Sequence, residues 1–338
     1  MKRVHLAVLG ATGLVGGKIL QILEEENFPL AGLKLLASER STGKQISFKG
    51  EKLPVEKVCP ESFDNVEMVL ASAGADISRI YAPAAVKKGA VFIDNSKAFR
   101  MEKQVPLVVV GVNDEDLKFH QGIIANPNCS TSQLMPVLNA LRKVSPLKRV
   151  IVSTYQAVSG AGAQAVEELS LNTRAFMEGK NFTASAFKKN IAFNVLPQID
   201  SFWDNGYTGE EMKVVLETRK ILHLPEAFPV TCTAVRVPVF TGHSESVVVE
   251  FENKISPKEA QNALLKENQI IVQDMDNPFD YPTPMEAAEK NPVYVGRIRR
   301  DLAFENGLSF WCVADNLRIG AALNTVRIGL KLLEMNLM

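Results

Sequence analysis

The sequence predicts an α/β protein of two domains: a mostly parallel sheet covered by helices, then a largely antiparallel sheet with helices of its own. Three observations carry this. The chain has 338 residues, 46% of them hydrophobic, enough to bury two cores. Up to about residue 128, short continuous apolar runs alternate with helical patterns, as strands buried on both faces require. Further on, apolar residues in the strand segments fall at alternate positions, which fits a sheet with one exposed face.

The elements follow in order. "VHLAVLG" (4–10) reads as a buried parallel strand, broken by "GATGLVG". A helix follows in "GGKILQILEEE", where Ile19, Leu20, Ile22 and Leu23 crowd one side. "GLKLLAS" reads as the second strand. "VEMVLAS" (66–72), "AVFID" (90–94), "LVVVGV" and "GIIAN" read as further strands, with a helix over "ISRIYAPAAVKKG". After Cys129 a helix over about 130–143 leads into "RVIVSTYQAVSGAG" and a longer helix through "AQAVEELSLNTRAFMEG". The alternating strands are "VTCTAVRVPVF", "SESVVVEFE", "NPVYVGRIRR" and "LSFWCVADN". The last helix, "RIGAALNTVRIGLKLLEMN", is expected to return to the first domain. The boundaries are thus 1–128 with 317–338, and 129–316.

Lys plus Arg and Asp plus Glu both number 38, which argues against a nucleic-acid binder or a basic membrane-surface protein. The apolar runs are too short to span a bilayer, and "MKRVHLAVLGATG" is no secretion signal. Cys59, Cys129, Cys232 and Cys312 are scattered, form no C-x-x-C, and read as a reduced, cytoplasmic set with no zinc or other metal site.

Gly10, Gly13 and Gly16 form G-x-x-G-x-x-G between a strand and a helix. Glycines there let the backbone turn tightly and approach a pyrophosphate, which the helix N-terminal N–H groups bind. The first domain therefore reads as a Rossmann-type dinucleotide-binding domain, although a ligand-free tight turn has the same spacing. At the end of the second strand Glu39 is followed by Arg40, Ser41, Thr42 and Lys44. A guanidinium with hydroxyls suits the 2′-phosphate of NADP, with a solvated loop as the competing reading.

"NPNCST" (126–131) puts Cys129 at a helix start, after a strand and a stiff proline turn. The helix dipole stabilises a thiolate there, and open α/β sheets bind ligands at the carboxyl ends of their strands. A thiol beside a nicotinamide site suggests aldehyde oxidation or its reverse through a thioester. Among His5, His120, His223 and His243, only His243 in "FTGHSES" sits at a glycine-flanked strand end. A cleft residue and a surface-loop residue fit that position equally.

The segments "LGATGLVGGKIL", "FIDNSKAFR", "NPNCST", "YQAVSGAG", "IAFNVLPQIDSFWDNGYTGEEMK", "RVPVFTGHSES" and "VADNLRIGAALNTVRI" run in order along nearly the whole chain. Together they resemble the aspartate-semialdehyde dehydrogenase family, in its bacterial branch. The resemblance implies NADP-dependent interconversion of aspartate semialdehyde and 4-aspartyl phosphate, a step in lysine (through diaminopimelate), threonine and methionine biosynthesis. It also implies a homodimer or homotetramer whose second domain serves catalysis and dimerisation. It places the nucleophile at Cys129, the acid–base histidine at His243 and the substrate-orienting glutamine at Gln156. Phosphate-binding residues fall on Arg100, Lys213 and Asn128, the α-carboxylate partner on Arg236, and the amine partner on Glu210. Cofactor contacts fall on Gly10, Thr12, Gly13, Leu14, Val15, Arg40, Ser41, Ser159, Gly160 and Asn316. Val110-Gly111 departs from the family's Pro-Glu. An N-acetyl-glutamyl-phosphate reductase shares the thioester logic but binds no free amine. A phosphorylating sugar-aldehyde dehydrogenase does not resemble these segments. A non-catalytic relative would lack the thiol or the histidine, and both are present.

Overall fold

The computed structural model describes residues 2–274 and 276–338. The chain divides into two compact units, 1–128 with 321–338 and 129–320. The α/β class is borne out in both.

The first unit contains β1 (Val4–Leu9), α1 (Leu14–Glu25), β2 (Leu30–Ala37), β3 (Gln45–Phe48), β4 (Glu51–Lys57), β5 (Met68–Ala71), α2 (Ala75–Lys87), β6 (Val91–Asp94) and β7 (Ile123–Ala125). Its seven-stranded sheet has the order β3-β4-β2-β1-β5-β6-β7. The chain leaves β1 toward β2 on one side and returns as β5 on the other, so β1 marks the switch point where such sheets bind ligands. Two findings depart from the sequence reading. "LVVVGV" is no strand: only Leu107 bridges to Ala125. The chain then turns through Gly111 (φ +85°), and the Val110 N–H donates to the Asn324 side chain instead of a ladder. Residues 45–57, unassigned from sequence, form an antiparallel hairpin. Lys49 and Gly50 both have positive φ at its turn, the geometry of a primed two-residue loop.

The second unit contains α3 (Cys129–Arg142), β8 (Leu147–Gln156), α4 (Ala163–Met177), α5 (Gly209–Ile221), β9 (Val230–Arg236), β10 (His243–Phe251), α6 (Pro257–Leu264), β11 (Ile270–Val272), α7 (Pro284–Ala287), β12 (Val293–Arg300) and β13 (Gly307–Ala314). The six-stranded sheet has the order β11-β12-β13-β10-β8-β9. Its centre is antiparallel, but β9 pairs parallel to β8, because the chain between them crosses over through α4 and α5. α3 is buried from Ser130 to Leu141 and lies among α5, α6 and β13, so it is a core helix. The opposite sheet face carries the half-exposed Tyr155–Trp311 ring pair.

A π-helical turn, Arg318–Ala322, precedes α8 (Leu323–Glu334). α8 closes the first unit, with Gly329 against Met68 and Phe28. No helix among the described residues is long and apolar enough to cross a membrane.

Candidate active site

The residues singled out from sequence divide between the units. Gly10, Thr12, Gly13, Leu14, Val15, Arg40, Ser41, Arg100 and Asn128 lie in the first. Cys129, Gln156, Ser159, Gly160, Glu210, Lys213, Arg236, His243 and Asn316 lie in the second.

In the first unit, Gly10 ends β1 at φ +87°, and a Cβ at Gly16 would fall 2.1 Å from the Gly10 carbonyl oxygen, so helix and turn approach as only glycine permits. α1 begins at Gly13 with no side-chain cap and no acid in its first turn. Its leading N–H groups are thus not claimed by a local carboxylate, which fits a pyrophosphate. Thr12 Oγ1 donates to Ser41 Oγ (3.2 Å), bringing the end of β2 beside this turn. Glu39, the acid an NAD site would use, is paired with Lys57 on β4 (3.1 Å), while Arg40 stands exposed next to it. These residues fit a dinucleotide cofactor. Arg100 is buried, donating through Nε to Asn126 O (2.9 Å) and through Nη2 to Asn95 O (2.7 Å). Asn324 fastens the same loop, donating to Asn126 Oδ1 (2.7 Å) and Val108 O (2.8 Å).

In the second unit, Cys129 is the half-buried first residue of α3. The next residue, Ser130, accepts a hydrogen bond from Gln156 Nε2 (2.7 Å), which also donates to Glu210 Oε1 (2.8 Å). Glu210 Oε2 pairs with Lys213 Nζ (3.1 Å), and Lys213 pairs in turn with Asp200 Oδ2 (2.8 Å). Thr208 caps α5 in a capping box with Glu211, fixing the helix start that presents Glu210 and Lys213. Burial opposes the charge on Lys213, but Glu210 and Asp200 outweigh it and hold its proton affinity above the usual lysine range.

Ala157 joins the remaining pair. Its carbonyl accepts from Arg236 Nη1 (2.6 Å) and its N–H donates to His243 Nδ1 (3.1 Å). Burial lowers the proton affinity of Arg236, against which Glu210 and the Cys129 sulfur act. His243 is wholly buried, and burial, reinforced by Arg236, takes its pKa down to about 3, with Glu210 and the Gly242 carbonyl opposing. With Nδ1 accepting, the neutral ring carries its proton on Nε2, which has no hydrogen-bond partner among the described residues. A Cβ at Gly160 would stand 3.0 Å from Arg236 Nη1 and 3.2 Å from His243 Nε2, so glycine leaves room there for these two groups. Asn316 accepts from Gly242 N (2.9 Å) and hydrogen-bonds Ser159 (3.0 Å).

Sequence reasoning missed Ser130, Asp200, the Ala157 backbone and Gly320. A Cβ at Gly320 would fall 2.8 Å from Cys129 Cβ, so this glycine packs directly on the thiol-bearing residue. A lone glycine inside the helical pattern "NLRIGAALNT" was the one signal that pointed to it.

Two family models match the chain: semialdehyde dehydrogenase, NAD binding domain, over 5–120, and semialdehyde dehydrogenase, dimerisation domain, over 138–319. The aspartate-semialdehyde dehydrogenase of Bacillus subtilis (strain 168) is 50% identical over 342 residues, covering 99% of each chain. Aspartate semialdehyde dehydrogenase II from Vibrio cholerae, complexed with ASA, superposes with a TM-score of 0.96 at 42% identity, covering 99% of each chain. The Candida albicans aspartate semialdehyde dehydrogenase with NADP gives a TM-score of 0.78 at 25% identity over the full length of both chains.

Proposed function

The chain belongs to the aspartate-semialdehyde dehydrogenase family and is an oxidoreductase of that kind, and on this premise we propose that it is NADP-dependent and phosphorylating, working through a thioester on Cys129. The observation that carries this is the buried Gln156–Glu210–Lys213 chain tied to Ser130, one residue from Cys129, with Arg236 coupled to both Glu210 and the sulfur. One carboxylate and one guanidinium beside a thiol match an aldehyde that carries an ammonium and a carboxylate.

In the direction of oxidation the Cys129 thiolate adds to the aldehyde carbon, turning the carbonyl oxygen into an oxyanion. His243 offers Nε2–H to that oxygen; its acid–base part reduces to this edge, since burial and Arg236 hold the ring neutral. Bound NADP supplies the hydride acceptor that leaves a thioester. Arg236 holds the α-carboxylate, Glu210 exchanges Lys213 for the substrate ammonium, and Gln156 orients the chain. Lys213, then left with Asp200 as its partner, is assigned with Arg100 and Asn128 to the phosphate that attacks the thioester and expels the thiolate. Arg40 and Ser41 read the 2′-phosphate, the residues of the glycine turn hold the pyrophosphate, and Ser159, Gly160 and Asn316 make the remaining cofactor contacts. The exposed Arg40, beside the Ser41 that Thr12 ties to the glycine turn, supports NADP over NAD. NADP bound to the Candida albicans protein supports it further. The half-exposed Tyr155–Trp311 sheet face is the surface on which a second copy packs, as a homodimer or a pair of dimers in a cytoplasmic enzyme of lysine, threonine and methionine biosynthesis.

A spectrophotometric assay tests the reading. NADP reduction by aspartate semialdehyde should require phosphate and should fall away with NAD. Equal rates without phosphate would overturn the phosphorylating mechanism.

A further inference from the structure

Two residues after His243, on the same face of β10, lies a carboxyl group the mechanism does not use. Glu245 is fully buried. Its register partners are Thr154 on β8 and Cys312 on β13. Cys312 and, on β9, Cys232 lie within its electrostatic reach, and burial above all pushes both thiols up. From α3 the amide of Gln133 approaches it. None of these groups is a cation. Neither Glu245 oxygen makes a completed hydrogen bond, and Gln133 Oε1 and Thr154 Oγ1 are likewise buried without one. An unpaired carboxylate in such surroundings is strongly disfavoured. Burial accordingly raises the carboxyl's proton affinity well above the usual range, against a smaller opposing pull from Gln133.

A protonated carboxyl resolves the inventory. Its O–H can donate to Gln133 Oε1, so an acid and an amide oxygen that are otherwise both left over are satisfied together. The Gln133 amide nitrogen already donates to the His243 carbonyl at 3.4 Å. We propose that Glu245 is a positioning residue: as an uncharged acid it holds Gln133, clamping the helix that begins with Cys129 to the strand that begins with His243. The inference rests on the reading of Cys129 and His243 as the reacting pair.

The test uses the full-length protein and the variants E245Q, E245L and Q133L. Thermal midpoints are measured from pH 5 to 9, with kcat and KM for aspartate semialdehyde and NADP, and the rate at which iodoacetamide labels Cys129. Between the ordinary carboxyl pKa and its raised native value, the unfolded chain sheds a proton that the folded one keeps, so wild-type stability falls as pH rises. E245Q escapes this. Its Tm should gain on wild type by on the order of 3 °C per pH unit, with kcat rescued to near the wild-type value. E245L and Q133L should lose about 30- to 100-fold in kcat with the NADP KM unchanged, and label more slowly at Cys129. A pH-independent Tm gap, an E245Q that is unfolded or as impaired as E245L, or full kcat in Q133L would overturn the clamp. If E245L does not fold, Q133L carries the test. If wild type itself does not turn over, the functional reading fails, while the Tm gap and the labelling rates still judge the clamp.

Discussion

Gly320→Ala is the substitution whose outcome can be worked most directly from the structure. The added Cβ would lie 2.8 Å from Cys129 Cβ, 3.1 Å from its Cα and 3.3 Å from its carbonyl oxygen. Carbon atoms settle at about 3.5–4.0 Å, so the two residues must part by roughly 0.7–1.2 Å. Neither side gives way easily, because Gly320 is buried in the π-helical turn and Cys129 opens a helix enclosed over its length. Overpacking of this kind costs about 1–3 kcal/mol. In a unit of this size that is a drop of about 2–4 °C in Tm per kcal/mol. Displacing a nucleophile by about 1 Å lowers kcat by about 100-fold. The assay is kcat and KM with aspartate semialdehyde and phosphate, beside a melting curve. The expected result is a folded protein with kcat down about 100-fold and KM for NADP unchanged. Gly17→Ala is the control, since its Cβ would meet nothing within 4 Å on α1; it should gain about 0.5–1 kcal/mol. Wild-type kcat and Tm in Gly320→Ala would show that this packing does not position the thiol.

Other outcomes follow from the site. Arg40→Ala with Ser41→Ala should weaken NADP by about 1.5–3 kcal/mol for each hydrogen bond to the phosphate that is removed and leave NAD nearly untouched, measured as binding constants; equal weakening of both would refute the 2′-phosphate role. Glu210→Gln should reduce kcat/KM for aspartate semialdehyde by about 10- to 100-fold and spare an N-acylated analogue, and an unchanged preference would remove Glu210 from amine recognition. His243, whose pKa is held near 3, takes up no proton in the folded state as pH falls through 6.5, whereas the unfolded chain does. His243 therefore draws stability down as pH falls from 6.5 toward 3. His243→Asn should flatten that acid side of the Tm curve while lowering kcat by about 100- to 1,000-fold. Parallel Tm curves would show that the buried ring titrates normally.

Much of the first unit was legible because its strands are buried on both faces and appear as unbroken apolar runs bounded by glycines. The 45–57 hairpin escaped because its strands are mixed in polarity and lie at the sheet edge, where packing imposes no apolar run. "LVVVGV" misled for the opposite reason. It is as apolar as a strand, but Val108 and Val109 are buried by a turn whose amides the Asn113 and Asn324 side chains satisfy, a partnership with residue 324 that no local pattern reveals. At the site, motifs supplied the residue types but not their connections. That Arg236 and His243 share the Ala157 backbone, or that Asp200 holds Lys213, depends on β8 pairing parallel to β9 and on the crossover between them.

The enclosure of α3 has a consequence for how the thiol gains access to its reactants. Backbone amides of a helix buried from Ser130 to Leu141 exchange with solvent only when the surrounding core opens, so their protection should equal that of the slowest-exchanging strands of the second unit. Cys129 is therefore anchored to the least yielding part of that unit, and fraying of its helix contributes nothing to its reactivity. Whatever moves during turnover must be drawn from other segments. Small-volume changes deep in α3, such as Leu138→Val, should slow the chemistry although they touch no reactant.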